Sequence, residues 1–257
     1  MEKRIKISAV SYLNTKPLIW GLSNHPIMEQ IDLSLDIPSV CASKLKNKEV
    51  DLAFAPVAVI PSLETPNIVS DFCISCTGRV KTVCLFSDVP VEEIKEIYLD
   101  YQSRTSVQLL KILLKDYWKI NPELLDSKSG YEHKIKDQTA ALVIGDRAID
   151  ISKNHKYVYD LGECWKALHD LPFVFASWIS LDALPTTFIN AFNDAMQLGL
   201  DNRQKIIKDF SVSYPNFDIK KYLYQYIEYD LSPLKKSALK LFLSSMESPI
   251  EDPSLIV

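Results

Sequence analysis

The chain has 257 residues, enough for one or two domains with a sizeable core. Its apolar fraction of 47% is ordinary for a globular protein, and no window is apolar for long enough to span a bilayer. The formal charge of −4 excludes a broad basic surface for nucleic acid or anionic membrane, yet leaves room for a local site that takes a small anion.

In chain order, short apolar runs alternate with helical periods, a pattern that predicts α/β with a largely parallel sheet. Strands are expected near residues 4–10, 32–37, 51–54, 68–75, 80–86, 96–100, 140–144, 156–159 and 173–179. Helices are expected at 15–23, 39–47, 56–60, 104–118, 146–150, 163–169, 186–200, 202–210, 217–228 and 233–246. Asp88-Val89-Pro90-Val91-Glu92 and Asp170-Leu171-Pro172 break the pattern. They suggest a discontinuous first lobe, 1–88 plus 173–257, and an inserted lobe, 91–170.

Met1-Glu2-Lys3-Arg4 leads straight into the first strand without the long apolar stretch of a secretory leader. The five cysteines (Cys41, Cys73, Cys76, Cys84 and Cys164) are an odd number, which points to reduced thiols and a cytoplasmic location. Cys73-Ile74-Ser75-Cys76 has CxxC spacing but no second ligand pair and no redox context, so both read as strand and loop cysteines. His25, His133, His155 and His169 lie in polar segments without metal-ligand spacing and read as surface residues.

Four segments carry chemistry. After the first strand, Ser11-Tyr12-Leu13-Asn14-Thr15-Lys16-Pro17 places hydroxyls and an amide at a strand's carboxyl end, where open α/β sheets bind ligands. A helix cap with proline in the first turn is the competing reading. Ser75, Thr77 and Gly78 offer a loop in the first lobe that lets backbone approach a ligand, or simply a turn. Ser103, Arg104, Thr105 and Ser106 stand at the start of an apolar helix, where unpaired N–H groups and the helix dipole favour an anion; Ser103 also suits a cap, and Arg104 a surface ion pair. Ile144-Gly145-Asp146-Arg147 ends another strand, and Asp146 can hold a substrate hydroxyl, cap the next helix or pair with Arg147. No phosphate-cradling loop, dinucleotide fingerprint or nucleophile elbow is present, and no histidine base stands in these segments.

Taken together and in order, SYLNTKP, Glu49-Val50-Asp51-Leu52-Ala53-Phe54-Ala55-Pro56-Val57, Asp100-Tyr101-Gln102-Ser103-Arg104-Thr105-Ser106-Val107, Ile144-Gly145-Asp146-Arg147-Ala148, Tyr159-Asp160-Leu161-Gly162-Glu163 and Leu171-Pro172-Phe173 resemble the chorismate dehydratase family of the futalosine route to menaquinone. The resemblance spans residues 5–180 and departs from the family at three places. Lys48 stands where glycine is frequent, His169-Asp170 where Thr-Gly precedes Leu-Pro, and Cys76 where serine is usual.

The resemblance implies a two-lobed type II periplasmic-binding-protein-like fold with a ligand cleft between lobes. It also implies a hydro-lyase reaction in which chorismate loses water to give 3-enolpyruvyl-benzoate; no cofactor or metal is expected. Asn14 would orient the reacting groups, and the proton would go to the substrate's own enolpyruvyl carboxylate or to Asp146. Ser11, Ser75, Thr77, Gly78, Ser103, Arg104, Thr105, Ser106 and Gly145 would bind the dianion. Two readings compete: a cytoplasmic small-anion sensor of the same fold, and a later lyase of the pathway, for which a pocket histidine is expected. The sequence is silent on oligomeric state.

Overall fold

Alternating apolar strands and amphipathic helices fold into two mixed sheets. The computed structural model describes residues 4–152 and 154–246; Met1–Lys3, the charged lead into the first strand, lie outside them. The chain lays down β1 (Ile5–Val10), β2 (Ile31–Asp36), β3 (Leu52–Pro56) and β4 (Asn67–Cys76). It then crosses over and builds β5 (Val83–Ser87), β6 (Glu96–Tyr98), β7 (Glu123–Leu125), β8 (Thr139–Ile144) and β9 (Tyr157–Asp160). It returns to add β10 (Phe173–Ser180) and β11 (Glu228–Asp230). The first sheet has the order β11-β4-β10-β3-β1-β2 and the second β7-β6-β8-β5-β9.

Neither sheet is largely parallel, contrary to the expectation from the alternating pattern. The β1–β2, β1–β3, β6–β7 and β6–β8 pairs are parallel. The returning β10 runs antiparallel to β3 and β4, and β5 runs antiparallel to β8 and β9. The crossing also falls earlier than Asp88–Glu92: because Val83–Ser87 pairs with β8 and β9, the chain leaves the first sheet at Cys76 and enters the second at Val83. Three-residue β7 and β11 are too short to show a period, and β11 replaces the end of the helix expected at 217–228. There a wide helical turn, Tyr222–Tyr226, gives way to extended Ile227, and the strand pairs with β4.

Helix α1 (Lys16–Ser23) follows β1 and α2 (Pro38–Lys46) follows β2, each with a proline in its first turn. α3 (Thr105–Ile112) continues into a wider turn, Leu113–Trp118, and covers the 104–118 prediction. α4 (Asp146–Ile151) follows β8, α5 (Leu161–His169) follows β9, and α6 (Thr186–Asp201) and α7 (Arg203–Phe210) follow β10. α6 packs on α1 with almost no space between backbones. A Cβ on Gly199 would lie 1.9 Å from the Pro17 carbonyl oxygen, and one on Gly21 2.0 Å from that of Ala195. The helix that carries the SYLNTKP segment is thereby anchored to the C-terminal half of the chain.

Two departures from the family pattern have a backbone explanation. Lys48 (φ 59°) and Asp170 (φ 56°) both occupy the left-handed region in turns that end helices, where glycine has no Cβ penalty. All five cysteines are buried and unpaired, and burial pushes the thiols of Cys41, Cys73 and Cys164 up to about 12. Of the histidines, His133 is exposed, but His25, His155 and His169 are half-buried. His155 and His169 pack on Phe86 and Trp165, because an imidazole ring offers an apolar face as well as a polar edge.

Candidate functional site

The carboxyl ends of β1 and β8 face each other across a cleft between the two sheets. Its walls are Val10, Tyr12, Asn14 and Thr15 after β1, Phe54 and Pro56 on β3, and Phe175 and Ala176 on β10. From the second lobe come Ile144 and Gly145 at the end of β8 and Ser103, Thr105 and Ser106 at the start of α3; Val80 and Thr82 of the crossing segment, Val83 at the start of β5, Pro38 and Ile74 complete it. The space among these walls, counted together with the solvent it opens to, is about 530 Å³. Among the described residues, no charged side chain lines it. Polar groups enter as neutral hydroxyls and one amide, set in an apolar wall.

Each donor has a local reason for its position. Thr15 closes the turn Leu13–Thr15 through its amide and hydroxyl on the Tyr12 carbonyl (3.0 and 2.8 Å). The Tyr229 hydroxyl donates to the Asn14 carbonyl at 2.9 Å. The Asn14 Oδ1 is buried and has no hydrogen-bond partner among the described residues. Ser103 accepts from the Ser106 amide at 3.0 Å, so it caps α3 as its sequence position suggests while also facing the cavity. Thr105 Oγ1 accepts from the Ala58 amide of the opposite lobe at 3.1 Å, which leaves its own proton to donate.

Behind this wall, Asp100 shapes the α3 turn. Its buried carboxylate accepts from the Gln102 and Ile144 amides, from the Tyr131 hydroxyl and from Arg147 at 2.7–2.9 Å. Arg147 therefore pairs with Asp100 and Glu132, not with Asp146. Asp160 secures the crossing. It accepts from the Val80 and Lys81 amides and from those of Gly162 and Glu163, tying the segment that carries Val80 and Thr82 to the start of α5.

The predicted site residues divide. Asn14, Ser103, Thr105, Ser106 and Gly145 converge on the cavity. Ser11, Ser75, Thr77, Gly78, Arg104 and Asp146 are not on its wall. The Ser11 amide bonds the Asp36 carbonyl at 3.2 Å. Ser75 is fully buried, with its hydroxyl on the Glu228 carbonyl at 2.9 Å, and the Thr77 hydroxyl reaches the Glu228 carboxylate at 3.2 Å. Gly78 takes φ 98° where the crossing turns, and its carbonyl lies where a Cβ on Gly162 would fall, 2.5 Å away. Arg104 stands between the capping Ser103 and Thr105, the first residue of α3. The Asp146 carboxylate accepts from the Leu13 amide at 3.0 and 3.3 Å. Burial pushes its proton affinity above the usual range, against hydrogen bonds from Leu13 and Tyr214.

Tyr12 and Thr82 line the cavity although sequence reasoning passed over them. Tyr12 stands inside the SYLNTKP segment, and its position one residue before the turn was the available signal. Burial and the nearby Asp100 charge push its phenol well above the ordinary value, so it remains a protonated donor to Gln102 Oε1. Thr82 shares a hydrogen bond of 2.7 Å with the Tyr222 hydroxyl, whose side chain faces Asn14. Among the described residues, no group of His, Cys, Asp and Glu is arranged to hold a metal ion, and no helix is long and apolar enough to cross a membrane.

Comparison with known proteins places this geometry. Over 94% of its length the chain is similar to protein AF1704 from Archaeoglobus fulgidus (TM-score 0.74, 15% identity, 96% of that chain). Another similar structure is the Candida albicans CA3427 gene product, described as having the generic periplasmic binding protein fold (TM-score 0.62, 13% identity, 95% of this chain and 92% of that one). Both likenesses establish the two-lobed periplasmic-binding-protein-like fold. In sequence, 158 residues are 28% identical to a chorismate dehydratase from Thermus thermophilus, covering 54% of this chain and 58% of that protein. The match therefore spans little more than half the length of that relative. The family model described as menaquinone biosynthesis matches residues 5–248, and the chain belongs to that family.

Proposed function

We propose that the protein is a cytoplasmic chorismate dehydratase, a hydro-lyase that converts chorismate to 3-enolpyruvyl-benzoate and water on the futalosine route to menaquinone. The observation that carries this reading is the buried Asn14 Oδ1, without a hydrogen-bond partner among the described residues, in a cavity whose other polar side chains are neutral hydroxyls, three of them at the start of α3. Family membership and the similarity to the Thermus thermophilus enzyme support it.

The chemistry suits such a wall. Loss of the ring hydroxyl and an adjacent ring proton is redox-neutral and is driven by aromatisation. The protein's task is to fix geometry and to stabilise the departing oxygen. Thr105 and Ser106, at the positive end of α3, favour a substrate carboxylate. Asn14 orients either the leaving hydroxyl or the enolpyruvyl group, and the enolpyruvyl carboxylate takes the proton. Asp146 suits the base role poorly, because its oxygens already accept from the Leu13 amide and do not line the cavity. The return of the chain near residue 170, together with the 77–82 crossing, would act as the hinge between lobes.

The test is to incubate purified protein with chorismate, without added cofactor, and to follow formation of an aromatic product. Turnover by the wild type, with Asn14→Ala reduced about a hundredfold or more, supports the proposal. Tight binding without product would instead mark a sensor.

A further inference from the structure

Asp146 belongs to the second lobe, on the first turn of α4, yet the partners of its carboxylate come from the first lobe. The Leu13 amide donates at 3.0 Å to one oxygen and 3.3 Å to the other. The Tyr214 hydroxyl and the Lys16 charge lie near enough to favour the carboxylate's ionised form. The like charge nearby, Asp150, is on α4 itself. An aspartate at a helix start ordinarily caps its own helix. This helix start has no side-chain cap, and Asp146 reaches across the cleft instead.

The acceptor meets the chain at a sensitive place. Leu13 is fully buried and opens the turn Leu13–Thr15, and the next residue is Asn14. The far side of that turn is held within the first lobe, by Tyr229 on the Asn14 carbonyl. The near side is held by the second lobe, through Asp146.

We infer that Asp146 is a positioning residue: its carboxylate holds the Leu13 amide across the cleft, so the turn that aims Asn14 into the cavity is complete only when the two lobes are closed. Ala58 N–H to Thr105 Oγ1 and Tyr12 O–H to Gln102 Oε1 join the lobes in the same state. The catalytic consequence rests on the dehydratase reading; the structural consequence does not.

Two readouts separate them: hydrogen exchange of the Leu13 amide in substrate-free protein, and kcat and KM with chorismate. Asp146→Ala removes the acceptor, whereas Asp146→Asn keeps an acceptor oxygen but cannot serve as a base. The expected result is at least tenfold faster Leu13 exchange in Asp146→Ala, with kcat reduced tenfold to a hundredfold and KM changed less, as for a misplaced catalytic group. Asp146→Asn should recover most of the protection and most of kcat. Unchanged Leu13 exchange in Asp146→Ala overturns the inference. So does an Asp146→Asn protein that is inactive while Leu13 stays protected, since that marks a base. If Asp146→Ala does not fold, Asp146→Asn carries the test alone by the same criterion. If the wild type makes no product, the dehydratase reading fails and the exchange experiment still decides the clasp.

Discussion

The Tyr12 ring lies directly against the Cα of Gly145, so closely that a Cβ there would sit 2.8 Å from two ring carbons. One residue follows the first strand of the first lobe and the other follows β8 of the second. Their contact is part of the surface on which the lobes close. Gly145 has φ 65° and ψ −151°, a region open essentially to glycine alone.

Gly145→Ala should therefore be harmful twice over, through backbone strain and through displacement of Tyr12. We expect a loss of about 1–3 kcal/mol in stability and a fall in kcat/KM larger than that loss explains, because the cavity wall moves. Denaturant unfolding beside steady-state kinetics checks this. Kinetics equal to wild type would show that the Tyr12–Gly145 contact is not needed for closure.

Thr105→Val keeps the shape of the side chain and removes its hydroxyl. The Ala58 amide loses its acceptor and the cavity loses a donor. A cost of about 1–2 kcal/mol in stability is expected, with kcat/KM down about tenfold or more. The measurement is a thermal melt with and without chorismate. An unaltered substrate-induced shift would remove Thr105 from the binding site.

Lys48→Gly should stabilise the fold. Lys48 holds φ 59° after α2, and its ion pair with Glu64 at 3.3 Å joins two exposed side chains and contributes little. Relief of the left-handed strain outweighs the greater freedom of glycine in the unfolded chain by about 0.5–1 kcal/mol. A lower urea midpoint in the variant would contradict this.

Acid stability should depend on Asp36. Burial pushes its carboxyl up, but hydrogen bonds from Lys44, Ser8 and Ser34 outweigh this and hold it below the usual range. The contacts are 2.6 Å from Lys44, 2.7 Å from Ser8 and 2.9 Å from Ser34. The folded protein thus binds this proton more weakly than the unfolded chain. The contribution is fully present above the ordinary aspartate value of about 3.9 and is lost as pH falls through the lowered folded value. Asp36→Asn should be less stable than wild type at neutral pH, with the difference shrinking in acid. A difference that is constant with pH would show that Asp36 acts through packing alone.

Much of the architecture was legible in the sequence. Apolar runs located β1 and β3, and helical periods α1, α2 and α6, to within a residue or two, with Pro17 a start signal for α1. The SRTS turn and the strand end at Ile144-Gly145 were legible from local pattern as well, and both reach the cavity. What local pattern could not decide was partnership. Strand β5 looks alike in either sheet, and only its pairing with β8 and β9 placed the crossing at 77–82 rather than 88–91. Ser75 and Thr77 are as polar as Ser103 and Thr105, yet β11, too short to foresee, takes up the first pair and leaves the second facing the cleft. Asp146 read as a substrate ligand, a base, an ion-pair partner or, most commonly for such a position, a helix cap, and its bond to an amide 133 positions earlier in the chain lay beyond the reach of local pattern. Period, caps and turns arise from neighbours in sequence, whereas which side chain meets which across a cleft is set by how two sheets close on each other.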